Sequence, residues 1–69
     1  MEMEWLINMT ISERVKALRK QTGLTQQKFG DMFGIPLRTI QDWEYNKHLP
    51  PEYVVNMMET IVDLIHDDE

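Results

Sequence analysis

Few residues in this chain could ligate a metal or carry out acid–base chemistry. The two histidines, His48 and His66, are far apart in sequence, and only the second has carboxylates close by, Asp63 one turn before it and Asp67 beside it. A single i, i+3 Asp/His pair falls short of a metal-ligand set. There is no cysteine, which excludes a thiol nucleophile, a Cys-ligated zinc and a disulfide framework. A helical bundle of 69 residues also offers little pocket volume for a substrate. The expectation is a protein that is not an enzyme and uses no metal and no cofactor.

The other chemistry on offer is electrostatic. Net charge is −5, which as a sum argues against a nucleic-acid partner, because lysine and arginine supply most of the affinity for phosphate. The distribution says otherwise. All seven basic residues (Arg14, Lys16, Arg19, Lys20, Lys28, Arg38, Lys47) lie between positions 14 and 47, where the only acids are Asp31, Asp42 and Glu44, a local surplus of four positive charges. The remaining nine acids lie toward the two ends, on surface turned from DNA or toward a partner.

Positioning these charges requires helices, and the capping signals mark them. Thr10 and Glu13 have capping-box spacing ahead of Val15 and Leu18, predicting a first helix from Thr10 to Thr22 that Gly23 stops. Thr25 caps a second helix in which Phe29, Met32 and Phe33 share a face, and Gly34 ends it. Gly30 inside that helix costs about 1 kcal/mol relative to alanine, which implies another helix passing very close. Pro36 fits the first turn of a third helix, with Ile40 and Trp43 on its buried edge and Arg38, Gln41 and Asp42 on the other face. Tyr45 to His48 reads as a loop with Asn46 able to take a positive φ, and Pro50-Pro51 precedes a fourth helix from Pro51 to His66. The apolar positions Tyr53, Val54, Met57, Met58, Ile61, Val62, Leu64 and Ile65 form a band wider than a small core requires, so part of it is a candidate interface. Met32 and one of Met57 and Met58 are read as core gap-fillers. The predicted fold is all-α, a compact bundle of four to five short helices spanning residues 10–66. An N-terminal extension, residues 1–9, reads as a tail, an extra turn or a dimer arm, and residues 67–69 as an acidic tail.

The string Leu24-Thr25-Gln26-Gln27-Lys28-Phe29-Gly30, the turn Gly34-Ile35-Pro36 and the string Thr39-Ile40-Gln41-Asp42-Trp43-Glu44 together resemble the lambda-repressor-like (Cro/C1, Xre) helix-turn-helix family. Several positions agree at fixed spacing, over about Thr10 to Ile65. The resemblance implies sequence-specific binding of double-stranded DNA by a transcriptional regulator, with residues 36–44 as the recognition helix. It places Leu37, Arg38, Gln41 and Asp42 at base-reading positions and Gln26 at a phosphate contact, with Thr25 and Lys47 as further phosphate partners. Arg19 and Glu44 match an ion pair that ties the first helix to the end of the recognition helix.

The chain departs from the family's pattern at several points. Pro36 replaces the usual serine or threonine, Lys28 stands where glutamate is common, Asn46 replaces a common glycine, and Leu49 and Glu52 occupy a region often basic in relatives. The resulting phosphate clamp looks thin, so useful affinity implies a homodimer engaging two half-sites. The alternative is an antitoxin or protein-interaction module that binds a partner through residues 53–65 and the acidic ends, with DNA binding secondary. The start of the chain lacks signal-peptide features and no apolar run approaches membrane-spanning length, so the expected location is cytoplasmic, away from any membrane.

Overall fold

The computed structural model describes residues 9–67; the extension at residues 1–8 and the last two residues of the acidic tail lie outside the described residues. Four helices follow one another without a strand among the described residues: α1 (Ile11–Thr22), α2 (Gln26–Phe33), α3 (Leu37–Glu44) and α4 (Glu52–Asp67). Helix boundaries follow the local chemistry. The Thr10 hydroxyl accepts the Glu13 N–H at 3.1 Å while the Glu13 carboxylate accepts the Thr10 N–H at 2.9 Å, so the capping box is closed in both directions. That second bond holds the Glu13 carboxyl below its ordinary pKa. Thr25 caps α2 by accepting the Lys28 N–H at 3.2 Å. Gly23 and Gly34 end α1 and α2 at φ of 75° and 72°, a backbone conformation costly for a residue with a Cβ.

The third helix, α3, starts one residue later than the sequence predicts. Pro36 has ψ of 147°, which makes it the N-cap, and its carbonyl accepts the N–H groups of Thr39 at 3.0 Å and Ile40 at 3.2 Å. Proline has no side-chain acceptor, so this end carries no side-chain cap. The fourth helix likewise begins at Glu52, one residue after Pro51.

The core is a single cluster of Val15, Leu18, Phe29, Ile40, Val55, Met58 and Val62, edged by the partly buried Ile11, Leu24, Phe33, Ile35, Trp43 and Val54. Phe29 and Phe33 stack edge to face with centroids 5.1 Å apart. Met32 is not a core residue: it is 39% exposed, because α2 turns its Phe29–Phe33 edge inward and the i+3 position falls at the rim. On α4 the buried positions are Val55, Met58 and Val62, a narrower stripe than the sequence pattern, and Val55, absent from that pattern, lies at its centre. Tyr53, Met57, Ile61, Leu64 and Ile65 remain exposed.

Gly30 is where α2 meets the turn and α3. A Cβ there would overlap the Ile35 carbonyl oxygen and come within 3.2 Å of Ile40 Cγ1. The Gly30 carbonyl in turn accepts the Ile35 N–H at 2.8 Å, so the absent side chain sets the angle between the two helices.

Candidate nucleic-acid interface

Two arginines that the sequence groups with the basic stretch are used inside the fold. Arg14 on α1 is clasped by α4: its Nε and Nη2 donate to the two carboxylate oxygens of Glu59 at 3.2 and 2.8 Å, Nη2 also to Asn56 Oδ1 at 2.8 Å, and Nη1 to Glu52 Oε2 at 3.1 Å. Arg19, near the end of α1, donates Nε and Nη2 to the oxygens of Glu44 at 2.7 and 3.1 Å, and Nη1 to the Leu24 carbonyl at 3.2 Å. Each pairing raises the pKa of its arginine, Glu59 acting on Arg14 and Glu44 on Arg19. Five bases remain outside these two clusters: Lys16, Lys20, Lys28, Arg38 and Lys47.

The Arg19–Glu44 pair that the family resemblance implies is thus present, and it is a small network. The Glu44 side chain is only 1% exposed and also accepts from Gln26 Nε2 at 3.2 Å. Its backbone carbonyl accepts the buried Ser12 hydroxyl at 2.8 Å. One carboxylate and one carbonyl at the end of α3 therefore join α1, α2 and α3, so a charge that is costly to bury acts as the joint of the motif. Sequence reasoning missed Ser12 and the internal bond of Gln26, since both depend on where α3 ends in space.

The candidate readers divide by environment. Arg38 is 84% exposed, and Leu37 and Gln41 are half-buried on the same helix. Asp42 is mostly covered: its Oδ1 lies 3.7 Å from Arg38 Nε and its Oδ2 3.3 Å from His48 Nδ1. Its carboxylate is therefore already engaged within the protein. Of the candidate phosphate partners, Thr25 and Lys47 are exposed and Gln26 is half-buried, with one amide N–H given to Glu44 and the other left available. Trp43 packs against the core, as expected of an aromatic on the apolar edge of a helix.

This arrangement, two short helices joined by a left-handed turn at Gly34 with the second presenting an exposed polar edge, agrees with the comparison to known proteins: residues 15–61 match the family described as helix-turn-helix. The chain belongs to the lambda-repressor-like helix-turn-helix family. It is 33% identical over 52 residues to the "Repressor protein C" of Escherichia phage P2, an alignment covering 74% of this chain and 52% of that protein. The chain thus spans about half the length of that curated relative. No solved structure gives a significant match. Among the described residues no helix is long and apolar enough to cross a membrane, and no cluster of three or more His, Asp or Glu side chains is placed to hold a metal ion. Helices α2 and α3, with the turn at Gly34 between them, lie within the matched residues.

Proposed function

We propose that the chain binds double-stranded DNA sequence-specifically and represses transcription in the cytoplasm by occupying its operator. One observation carries this reading: the exposed edge of α3, led by Arg38, projects from a helix whose far end is locked to α1 and α2 through Glu44. With its side chains an α-helix such as α3 is about 10–12 Å across, which fits a major groove about 12 Å wide. In that groove Arg38 pairs with guanine O6 and N7, Gln41 with adenine N6 and N7, and Leu37 packs on a thymine methyl, with Asp42 beside them near a cytosine amine. The 3.7 Å contact to Asp42 is loose enough for Arg38 to leave on binding. Thr25, Gln26 and Lys47 take phosphates on either side, aided by the N-terminus of α2. The similarity to the repressor protein C of phage P2 supports repression.

The reading includes a homodimer that places two α3 helices about 34–36 Å apart on one face of B-DNA. The exposed Tyr53, Met57, Ile61 and Leu64, spaced three or four residues apart along α4, favour an interface there. The same surface supports the second reading, a protein partner such as a toxin. Selection of bound sequences from a random duplex library at fixed salt, with wild type and an Arg38→Ala/Gln41→Ala double variant in parallel, tests both. A two-fold-symmetric motif that the double variant loses is expected, with each lost base contact costing about 1–3 kcal/mol. No enrichment at low salt would refute autonomous DNA recognition and favour the protein partner.

A further inference from the structure

Asp42 connects the recognition helix to the loop that follows it. Besides the two side-chain contacts of its carboxylate, its backbone carbonyl accepts the N–H groups of Lys47 at 2.9 Å and His48 at 3.3 Å. Asn46, at φ of 63°, turns the chain back so that both amides reach it. The His48 ring, 78% exposed, is thereby held by one nitrogen and open to solvent at the other.

That arrangement has a chemical consequence. A neutral imidazole that donates from Nδ1 to a carboxylate carries no proton on Nε2, which is then an acceptor. Phosphate oxygens are acceptors too. A contact between His48 Nε2 and a DNA phosphate therefore requires a second proton on the ring, and the imidazolium so formed is stabilised by Asp42 on one side and phosphate on the other. The charged neighbours of the ring are Asp42, with Arg38 of α3 on the other oxygen of that carboxylate, and Lys47 within the loop, while Glu52 at the start of α4 is turned to Arg14. When Arg38 leaves for a base edge, Asp42 Oδ1 loses its arginine while Oδ2 stays beside His48.

We infer that His48 is a proton-linked phosphate contact held in place by Asp42, so that binding to DNA takes up a proton. The inference rests on the DNA-binding reading above, and it adds a residue that the resemblance does not mark. Asp42 becomes a positioning residue, acting on the backbone of the DNA through His48.

The test is equilibrium binding to a fluorescent mixed-sequence duplex at fixed low salt, from about pH 5.5 to 8, where histidines titrate. Such a duplex reports phosphate contacts regardless of base readout. Wild-type affinity is expected to fall with rising pH, by up to about tenfold per unit for one linked proton. His48→Gln removes this slope and binds like the wild type at the alkaline end, His48→Lys binds tightly with no slope, and Asp42→Asn reduces the slope. His66→Gln, which alters the chain's other histidine, keeps the wild-type slope. Far-UV circular dichroism confirms the fold of each variant, and the exposure of His48 makes its substitution benign. Parallel pH profiles for wild type and His48→Gln, with binding intact, would overturn the inference. Failure of the wild type to bind at any pH would instead overturn the DNA-binding reading.

Discussion

The Arg19–Glu44 pair predicts an asymmetry that can be measured without DNA. Arg19 is 19% exposed and Glu44 is 1% exposed, so deleting one partner strands a very different group from deleting the other. With Glu44→Gln the guanidinium keeps the Leu24 carbonyl at 3.2 Å and can turn its remaining donors to water. The cost is the weakening of three charge-assisted bonds, about 2–3 kcal/mol. With Arg19→Met a buried carboxylate keeps only the Gln26 amide, and the cost rises to about 3–5 kcal/mol. An unstapled bundle of this size has about 3–5 kcal/mol of stability in total, so Arg19→Met lies close to the unfolding threshold at room temperature while Glu44→Gln stays folded. Adding Glu44→Gln to Arg19→Met removes the stranded charge, so the double variant is more stable than Arg19→Met alone by about 1–3 kcal/mol. Urea denaturation followed by far-UV circular dichroism reads all four corners of the cycle, avoiding fluorescence, to which both Trp5 and Trp43 contribute. Additive costs, or an Arg19→Met no worse than Glu44→Gln, would show that the carboxylate reaches water and that the pair is a surface bridge worth about 0–1 kcal/mol.

Gly30→Ala gains about 1 kcal/mol of helix propensity yet drives a methyl into the Ile35 carbonyl oxygen and against the buried Ile40. A net loss of about 1–3 kcal/mol is expected, read as a lower thermal midpoint; an unchanged or raised midpoint would mean that the turn can open without cost. Glu13 supplies a pH-dependent prediction. Its folded-state pKa lies below the ordinary 4.5 because the Thr10 N–H donates to the charged form, so its contribution is present above that value and is lost as the pH falls through the lowered one. Glu13→Gln is therefore expected to show a smaller drop in urea midpoint than wild type between about pH 7 and pH 3, and an equal drop would remove Glu13 from acid sensitivity.

What was legible in the sequence is what a few neighbouring residues decide. Thr10, Glu13, Gly23, Thr25 and Gly34 set helix ends through bonds spanning three or four residues, and Asn46 takes its positive φ for the same local reason. Burial within a helix is harder, because adjacent positions differ by 100° around the axis and only the neighbouring helices determine the inward direction. This is why Val55 and not Val54 is fully covered and why Met32 is at the rim. Long-range polar partners were least accessible: Arg14 reaches across 45 positions to Glu59, and nothing nearby distinguishes it from a phosphate-binding arginine. The Arg19–Glu44 pair, 25 positions apart, was reached only through the family resemblance, and the contact between His48 and Asp42 follows only once the loop has folded back.

The connections among helices bear on how DNA and a protein partner could share so small a chain. Among the described residues, α1 is the only helix whose backbone comes close to α4, while α1, α2 and α3 all approach one another. The polar links keep the same division: Arg14 ties α1 to α4, whereas Arg19 and Ser12 tie α1 to the end of α3. A body seated on Tyr53, Met57 and Ile61 would thus press on a helix joined to α3 through α1, the shared core and the loop after α3. On the reading proposed above, a dimer or another partner seated there would meet α4 directly and the α3 side chains Arg38 and Gln41 only through those connections. The loop after α3 is then the direct covalent route from α4 to α3, and the Asp42 carbonyl holds it through Lys47 and His48. If the proposed roles of Lys47, His48 and Arg38 hold, strain entering at Glu52 reaches the two loop residues along the chain before it reaches Arg38, so a partner on α4 would alter phosphate contact more than base choice.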